Sequence, residues 1–128
     1  MKPILVKTDS APAAVGPYSQ AAIVGDLVFC SGAISLDRET GEMVGSTVAE
    51  QATQALTNLK AVLEGAGSGL DLVAKTTVFL VDMDTFGEMN QVYASFFGDH
   101  RPARSTIAVR SLPKGALVEV EAIAVRRG

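Results

Sequence analysis

The segment Leu117–Val125 limits what this chain can fold into more than any other. Its even positions, Val118, Val120, Ala122 and Ala124, are uniformly apolar, while its odd positions, Leu117, Glu119, Glu121, Ile123 and Val125, set two carboxylates among aliphatics. A period of two is the signature of a strand, here with apolar side chains on both faces. Leu72–Val81 poses the same problem, being apolar or Thr on both sides except for Lys75. Two helical segments can cover only one face of the resulting sheet, and the other is too apolar to be left in water. Burial against further copies of the chain follows as the expectation. On such a covered face Glu119 needs a partner, because an unpaired buried charge costs several kcal/mol or more. An arginine from the basic C-terminal part is the obvious candidate.

The helices read from about Val48 to Glu64 and from about Thr85 to Phe97. In the first, Val48, Ala52, Ala55, Leu56, Leu59, Val62 and Leu63 form one stripe. Thr47 and Glu50 make a capping box at its start, and Gly65 and Gly67 supply its stop. In the second, Phe86, Met89, Tyr93, Phe96 and Phe97 share a face and read as core; Asp84 is the expected N-cap and Gly98 the stop. Strands are predicted over Ser19–Val24 and Leu27–Ser31, joined by a Gly25-Asp26 hairpin turn, and over Leu72–Val81, Ser105–Val109 and Leu117–Val125. Lys2–Val6 is a candidate edge strand. Asp37–Glu42 is a charged loop leading into a short extended piece. The order of elements gives an α/β (α+β) two-layer domain occupying residues 1–128 as a single unit.

Composition closes off several classes. The 128 residues are 48% hydrophobic and 20% charged, an ordinary globular balance. The longest charge-free stretch, Ala11–Gly25, is interrupted by Pro12, Gly16 and Pro17, so no membrane span is expected. The start of the chain has only three apolar residues between lysines, unlike a secretory signal, and the default expectation is a cytoplasmic protein. One Cys (Cys30) and one His (His100) make neither an intrachain disulfide nor a zinc site of the usual kind. Residues 1–100 carry 5 basic and 12 acidic groups, whereas residues 101–128 carry 6 basic and 2 acidic. The whole chain is acidic, with a pI near 5.0 and no Trp, which disfavours an extended nucleic-acid partner. The local basic excess fits either scattered surface arginines or a small anion site.

Several residues stand where chemistry could be built. Arg104 lies at a strand entry after the turn Arg101-Pro102-Ala103, so its rigid fork is held by a regular element; a surface ion pair would use the same placement. Tyr18 follows Gly16-Pro17 just before a strand, a position equally suited to packing. Ser31-Gly32 stands at a strand end, where a Gly admits close approach of backbone and ligand. Asn90 on the second helix either orients a neighbour or faces solvent. No Ser-His-Asp set, Gly-rich phosphate loop or HExxH motif is present.

Taken together, Ala11-Pro12-Ala13-Ala14-Val15-Gly16-Pro17-Tyr18-Ser19-Gln20, Phe29-Cys30-Ser31-Gly32, Arg101-Pro102-Ala103-Arg104-Ser105 and Val118–Ala124 resemble the RidA family. These are the reactive-intermediate enamine/imine deaminases, also known as the L-PSP or translation-inhibitor family, and the resemblance spans essentially the whole chain. It implies a chorismate-mutase-like fold, a mixed sheet of about six strands with two helices on one face. It also implies a homotrimer whose sheets form a central barrel, with ligand sites between subunits. In that family the residue matching Arg104 grips the substrate carboxylate. Those matching Tyr18, Ser31, Gly32, Asn90 and Glu119 line the pocket, and Thr106 contributes its backbone. Many relatives carry Cys where this chain has Thr106, which argues against thiol chemistry here.

The implied substrates are 2-aminoacrylate, its tautomer 2-iminopropanoate and the four-carbon 2-iminobutanoate, hydrolysed to 2-keto acids and ammonia. An imine is already electrophilic, so no cofactor and no metal is expected. Placing a carboxylate, a water and a proton relay suffices. Arg104 is then the bidentate clamp, Glu119 the group that holds or polarises the water, and Tyr18 a gate or proton donor. Two other readings use the same residues. One is a non-catalytic module or chaperone-like trimer that binds small carboxylates such as 2-keto acids, and the other, resting on the older family name, is an endoribonuclease.

Overall fold

The computed structural model describes residues 1–128. Six strands form one mixed sheet: β1 (Ile4–Val6), β2 (Ala21–Val24), β3 (Leu27–Ala33), β4 (Val73–Leu80), β5 (Ala103–Ala108) and β6 (Val118–Val125), in the order β1-β2-β3-β6-β4-β5. Only β4 and β5 run parallel; helix α2 (Phe86–Phe97) provides the crossover that a parallel connection requires. Helix α1 (Val48–Gly65) packs over β3 and β6 and against α2, so both helices cover the same face.

The two-faced pattern of β6 is resolved as the period of two predicts. Val118, Val120, Ala122 and Ala124 are all buried beneath the helices with Val28, Val78, Leu80, Leu56, Leu59 and Leu63. The opposite face remains open: Leu27, Phe29, Ile107 and Val125 are 42%, 41%, 44% and 39% exposed. An apolar surface of this kind, on the sheet's uncovered side, is what the sequence pattern anticipated.

Most element ends follow their local signals. Thr47 accepts from Glu50 N, and the Glu50 carboxylate accepts from Thr47 N in return, a complete capping box. At the other end Gly65 is still helical, Ala66 is the cap, and Gly67 takes the left-handed conformation at φ +81°. The paired bonds Gly67 N to Glu64 O and Ser68 N to Leu63 O are those of a Schellman stop. Gly25, at φ +60°, opens the two-residue hairpin between Val24 and Leu27. The start of α2 differs from expectation. Asp84 is not its N-cap: a 3-10 turn, Met83–Thr85, precedes the helix, and Asp82 accepts from Asp84 N. Thr85 occupies the cap position without a side-chain bond. Asp82 caps the 3-10 turn through the Asp84 N–H, which leaves Asp84 inside that turn and not at the start of the helix.

Two strand boundaries also move, with consequences for the site. β3 runs on to Ala33, so Ser31 and Gly32 lie inside it at a register shift between Cys30 and Ala33, not after its end. β5 begins at Ala103, placing Arg104 within the strand and opposite Thr76 of β4.

Candidate active site

A cavity of about 730 Å³ opens beside the bulged end of β3, with Tyr18, Ser31, Gly32, Arg38, Lys114 and Glu119 in its wall. Bulges re-aim side chains next to binding sites, and here the bulge brings backbone under a carboxylate. A Cβ built on Gly32 would stand 2.7 Å from Glu119 Cδ and 3.0 Å from its Cγ, so only glycine leaves the acid its place. The Ser31 hydroxyl donates to Ser19 O (2.7 Å) and Ser31 N donates to Gln20 O (3.0 Å), tying the bulge to the segment that carries Tyr18. Gln20 in turn accepts from Thr8 N (2.7 Å) and donates to Thr8 O and Pro12 O, anchoring the strap before β2. Tyr18 itself is 55% exposed at the cavity edge.

Glu119 is half-buried and has neither a hydrogen-bond donor nor a cation among this chain's side chains. Burial, with the like charge of Glu121 two residues along the same face, pushes its carboxyl above the usual range. A carboxylate so placed is a proton acceptor with a raised affinity for the proton.

Arg104 sits elsewhere, on the helix-covered side of β5. Its Nη1 donates to Asn90 Oδ1 at 2.7 Å, and its Cζ lies 4.7 Å from the Tyr93 ring centroid and 5.4 Å from that of Phe86. No carboxylate of the chain pairs with it. Thr106, two residues on, shares its face. Because Val109 N donates to Leu80 O (2.8 Å), the alternation of strand bonds turns the backbone groups of Thr106 toward the free edge of β5.

The candidate residues therefore fall into two groups. Tyr18, Ser31, Gly32 and Glu119 meet in one cavity; Arg104, Asn90 and Thr106 meet at the β5 edge and do not line it. Within one chain Arg104 and Glu119 point to opposite faces of the sheet and do not pair, although the sequence made an arginine the natural partner of that acid. Sequence reasoning treated Phe86 and Tyr93 only as core and passed over Arg38 altogether. The spacing of Phe86, Asn90 and Tyr93, at i, i+4 and i+7, is the signal that could have joined the aromatics to Asn90. Cys30 is buried, and burial pushes its thiol up to about 12, leaving it protonated and unreactive. No three His, Cys, Asp or Glu side chains converge anywhere in the chain, and no helix is long and apolar enough to cross a membrane.

Fold and site define a small α+β protein with an acid-bearing cavity on one strand and a carboxylate-free guanidinium on the sheet edge. Residues 8–126 match the family model described as Endoribonuclease L-PSP. A protein of Pyrococcus horikoshii named only as a RutC family member is 47% identical over 122 residues, 95% of this chain and 97% of that protein. The mouse 2-iminobutanoate/2-iminopropanoate deaminase is 46% identical over 122 residues, covering 95% and 90% of the two chains. Among solved structures, a Thermotoga maritima protein provisionally designated an endoribonuclease superposes with a TM-score of 0.95 at 53% identity over the full length of both chains. The chain belongs to the RidA/L-PSP family, and its mixed six-stranded sheet with two helices is that family's fold.

Proposed function

We propose that the protein hydrolyses small 2-imino acids to 2-keto acids and ammonia, with each site assembled from two copies of the chain. One observation carries this reading. Two complementary groups, a guanidinium without a carboxylate and a carboxylate without a donor, stand on opposite faces of one sheet. Such groups meet only if the Arg104 edge of one copy approaches the Glu119 cavity of another. The open apolar face around Leu27, Phe29, Ile107 and Val125 supplies a reason for copies to associate. The resemblance to the family implies three copies. Relatives named as imine deaminases at 42–46% identity support the chemistry. A cytoplasmic site of action belongs to the same proposal.

In the proposed reaction Arg104 accepts the substrate carboxylate through charge-assisted bonds, and Asn90 keeps one end of the guanidinium in place. The iminium carbon of R–C(=NH2+)–COO− then faces Glu119, which takes a proton from water as its oxygen bonds to that carbon. The resulting carbinolamine loses the nitrogen when the proton returns to it and the C–N bond breaks, leaving R–CO–COO− and, with the remaining protons, NH4+. Positioning and proton transfer together provide the acceleration; general acid–base help alone is typically worth ~10²–10⁴-fold. Tyr18 closes the mouth above the bulge.

The test is a coupled assay in which a serine or threonine dehydratase generates the imine and semicarbazide traps it. Added protein lowers the trapped yield if the reading holds, and Arg104→Ala removes that effect while sedimentation still reports three copies. Saturable 2-keto acid binding with no change in imine lifetime would establish the carboxylate-binding module in its place. RNA cleavage, suggested by the family's older name, is less well supported. The only histidine is held through Nε2 to Val73 O at 2.7 Å, and the chain carries a net charge of −3. RNA cut by the purified protein, and spared by a Glu119→Gln variant, would revive it.

A further inference from the structure

We infer that Tyr93 is a positioning residue for the Arg104 guanidinium, a platform that sets the plane in which a planar 2-imino or 2-oxo carboxylate is gripped; the inference rests on the reading above. Three contacts close a ring. Arg104 is paired with Thr76 across the β4–β5 ladder. The Thr76 hydroxyl and the Tyr93 hydroxyl share a hydrogen bond of 2.7 Å, fully inside the protein. The Tyr93 ring lies under the guanidinium, 4.7 Å from Cζ.

The ring itself has little freedom. It is 8% exposed, and Phe97 stacks on it at 4.5 Å between centroids with 29° between planes. Phe86 adds a second aromatic neighbour at 5.4 Å, and Asn90 holds Nη1. With Cζ over an aromatic ring and one terminus bonded, the remaining N–H edge is the part of the fork left for a ligand. A carboxylate needs two parallel N–H groups in one plane to bind bidentately, and the aromatic face is what holds that plane. The same placement over the ring attracts the cation and competes with other arginine rotamers. Tyr93 is buried and acts through Arg104.

The experiment uses the intact protein and titrates pyruvate against its methyl ester, which keeps the carbonyl and lacks the charge. Wild type should prefer pyruvate. Tyr93→Phe keeps the π face and should retain pyruvate affinity within about twofold. Tyr93→Leu, or Tyr93→Met as a truncation that fills irregular gaps better, should weaken pyruvate by roughly 2- to 30-fold, the span of cation–π strengths. The ester should be unaffected. Unchanged pyruvate affinity in the truncations overturns the inference. So does equal loss of both ligands, or failure of both truncations to fold, since Tyr93 would then be core support only. A wild type that binds pyruvate but leaves imine lifetime unchanged refutes the deaminase reading and leaves the Tyr93 comparison intact.

Discussion

Gly32→Ala separates activity from stability in this protein. Gly32 lies outside the left-handed region that alanine resists, and replacing glycine at a compatible site stabilises by about 0.4–1 kcal/mol through the unfolded state. The added methyl cannot coexist with Glu119 as it stands. Its carbon would be 2.7 Å from Glu119 Cδ, where ordinary contact begins at 3.4 Å, so the carboxyl carbon must retreat by at least 0.7 Å and the nearer oxygen by more. No hydrogen bond of the chain opposes that retreat, so the fold loses nothing. A catalytic group misplaced by about 1 Å can cost ~10²-fold. The expected outcome is a kcat/KM about 100-fold lower in the dehydratase–semicarbazide assay, with a thermal midpoint equal to or slightly above wild type. A variant with full activity would refute the placement of Glu119 over Gly32 as functionally required. One that unfolded would refute the claim that only the acid's position is at stake.

Other consequences are tested more briefly. Glu119→Gln should reduce kcat by ~10²–10⁴-fold. Because burial raises the Glu119 pKa, the base form of wild type is lost as pH falls through a value above the ordinary 4.5; the acid limb of the kcat/KM profile should sit there and disappear in the variant. Arg104→Lys keeps the charge but loses the fork, and one charge-assisted bond at about 1.5–3 kcal/mol makes kcat/KM fall roughly 10- to 100-fold. The sedimentation of that variant should match wild type. Thr47→Ala removes one half of the α1 capping box and should cost ~1 kcal/mol, seen as a Tm lower by about 4 °C with activity unchanged.

Much of the site's content was legible in the chain, but its arrangement was only partly so. Tyr18, Ser31 and Gly32 were singled out from strand ends and turn chemistry, Glu119 from the two-faced pattern of its strand, and the four do meet. Gly32 was expected to let backbone approach a ligand; in the structure a bulge inside β3, not the strand's end, brings its backbone under the Glu119 carboxyl. A bulge leaves no period in the sequence, since one extra residue in a strand of seven is hidden among apolar alternatives. Asp84 misled because a capping preference is a local signal, and Asp82, two residues earlier, caps a 3-10 turn that takes Asp84 into its interior.

What the amino-acid order determined by itself was everything governed by short range: the period of two in β6, the 3.6-residue stripe of α1, the capping box at Thr47 and the Gly25 hairpin. Those features depend on backbone geometry and on neighbours within a few positions, so they can be read directly. What only the tertiary structure decided was which polar groups remain unsatisfied. Arg104 and Glu119 are 15 residues apart in the chain and two strands apart in the sheet, yet face opposite sides. Likewise, Tyr93 is a core aromatic by pattern and a neighbour of the guanidinium by packing. Desolvation and charge pairing depend on what the folded chain brings near in space, and no periodicity records that.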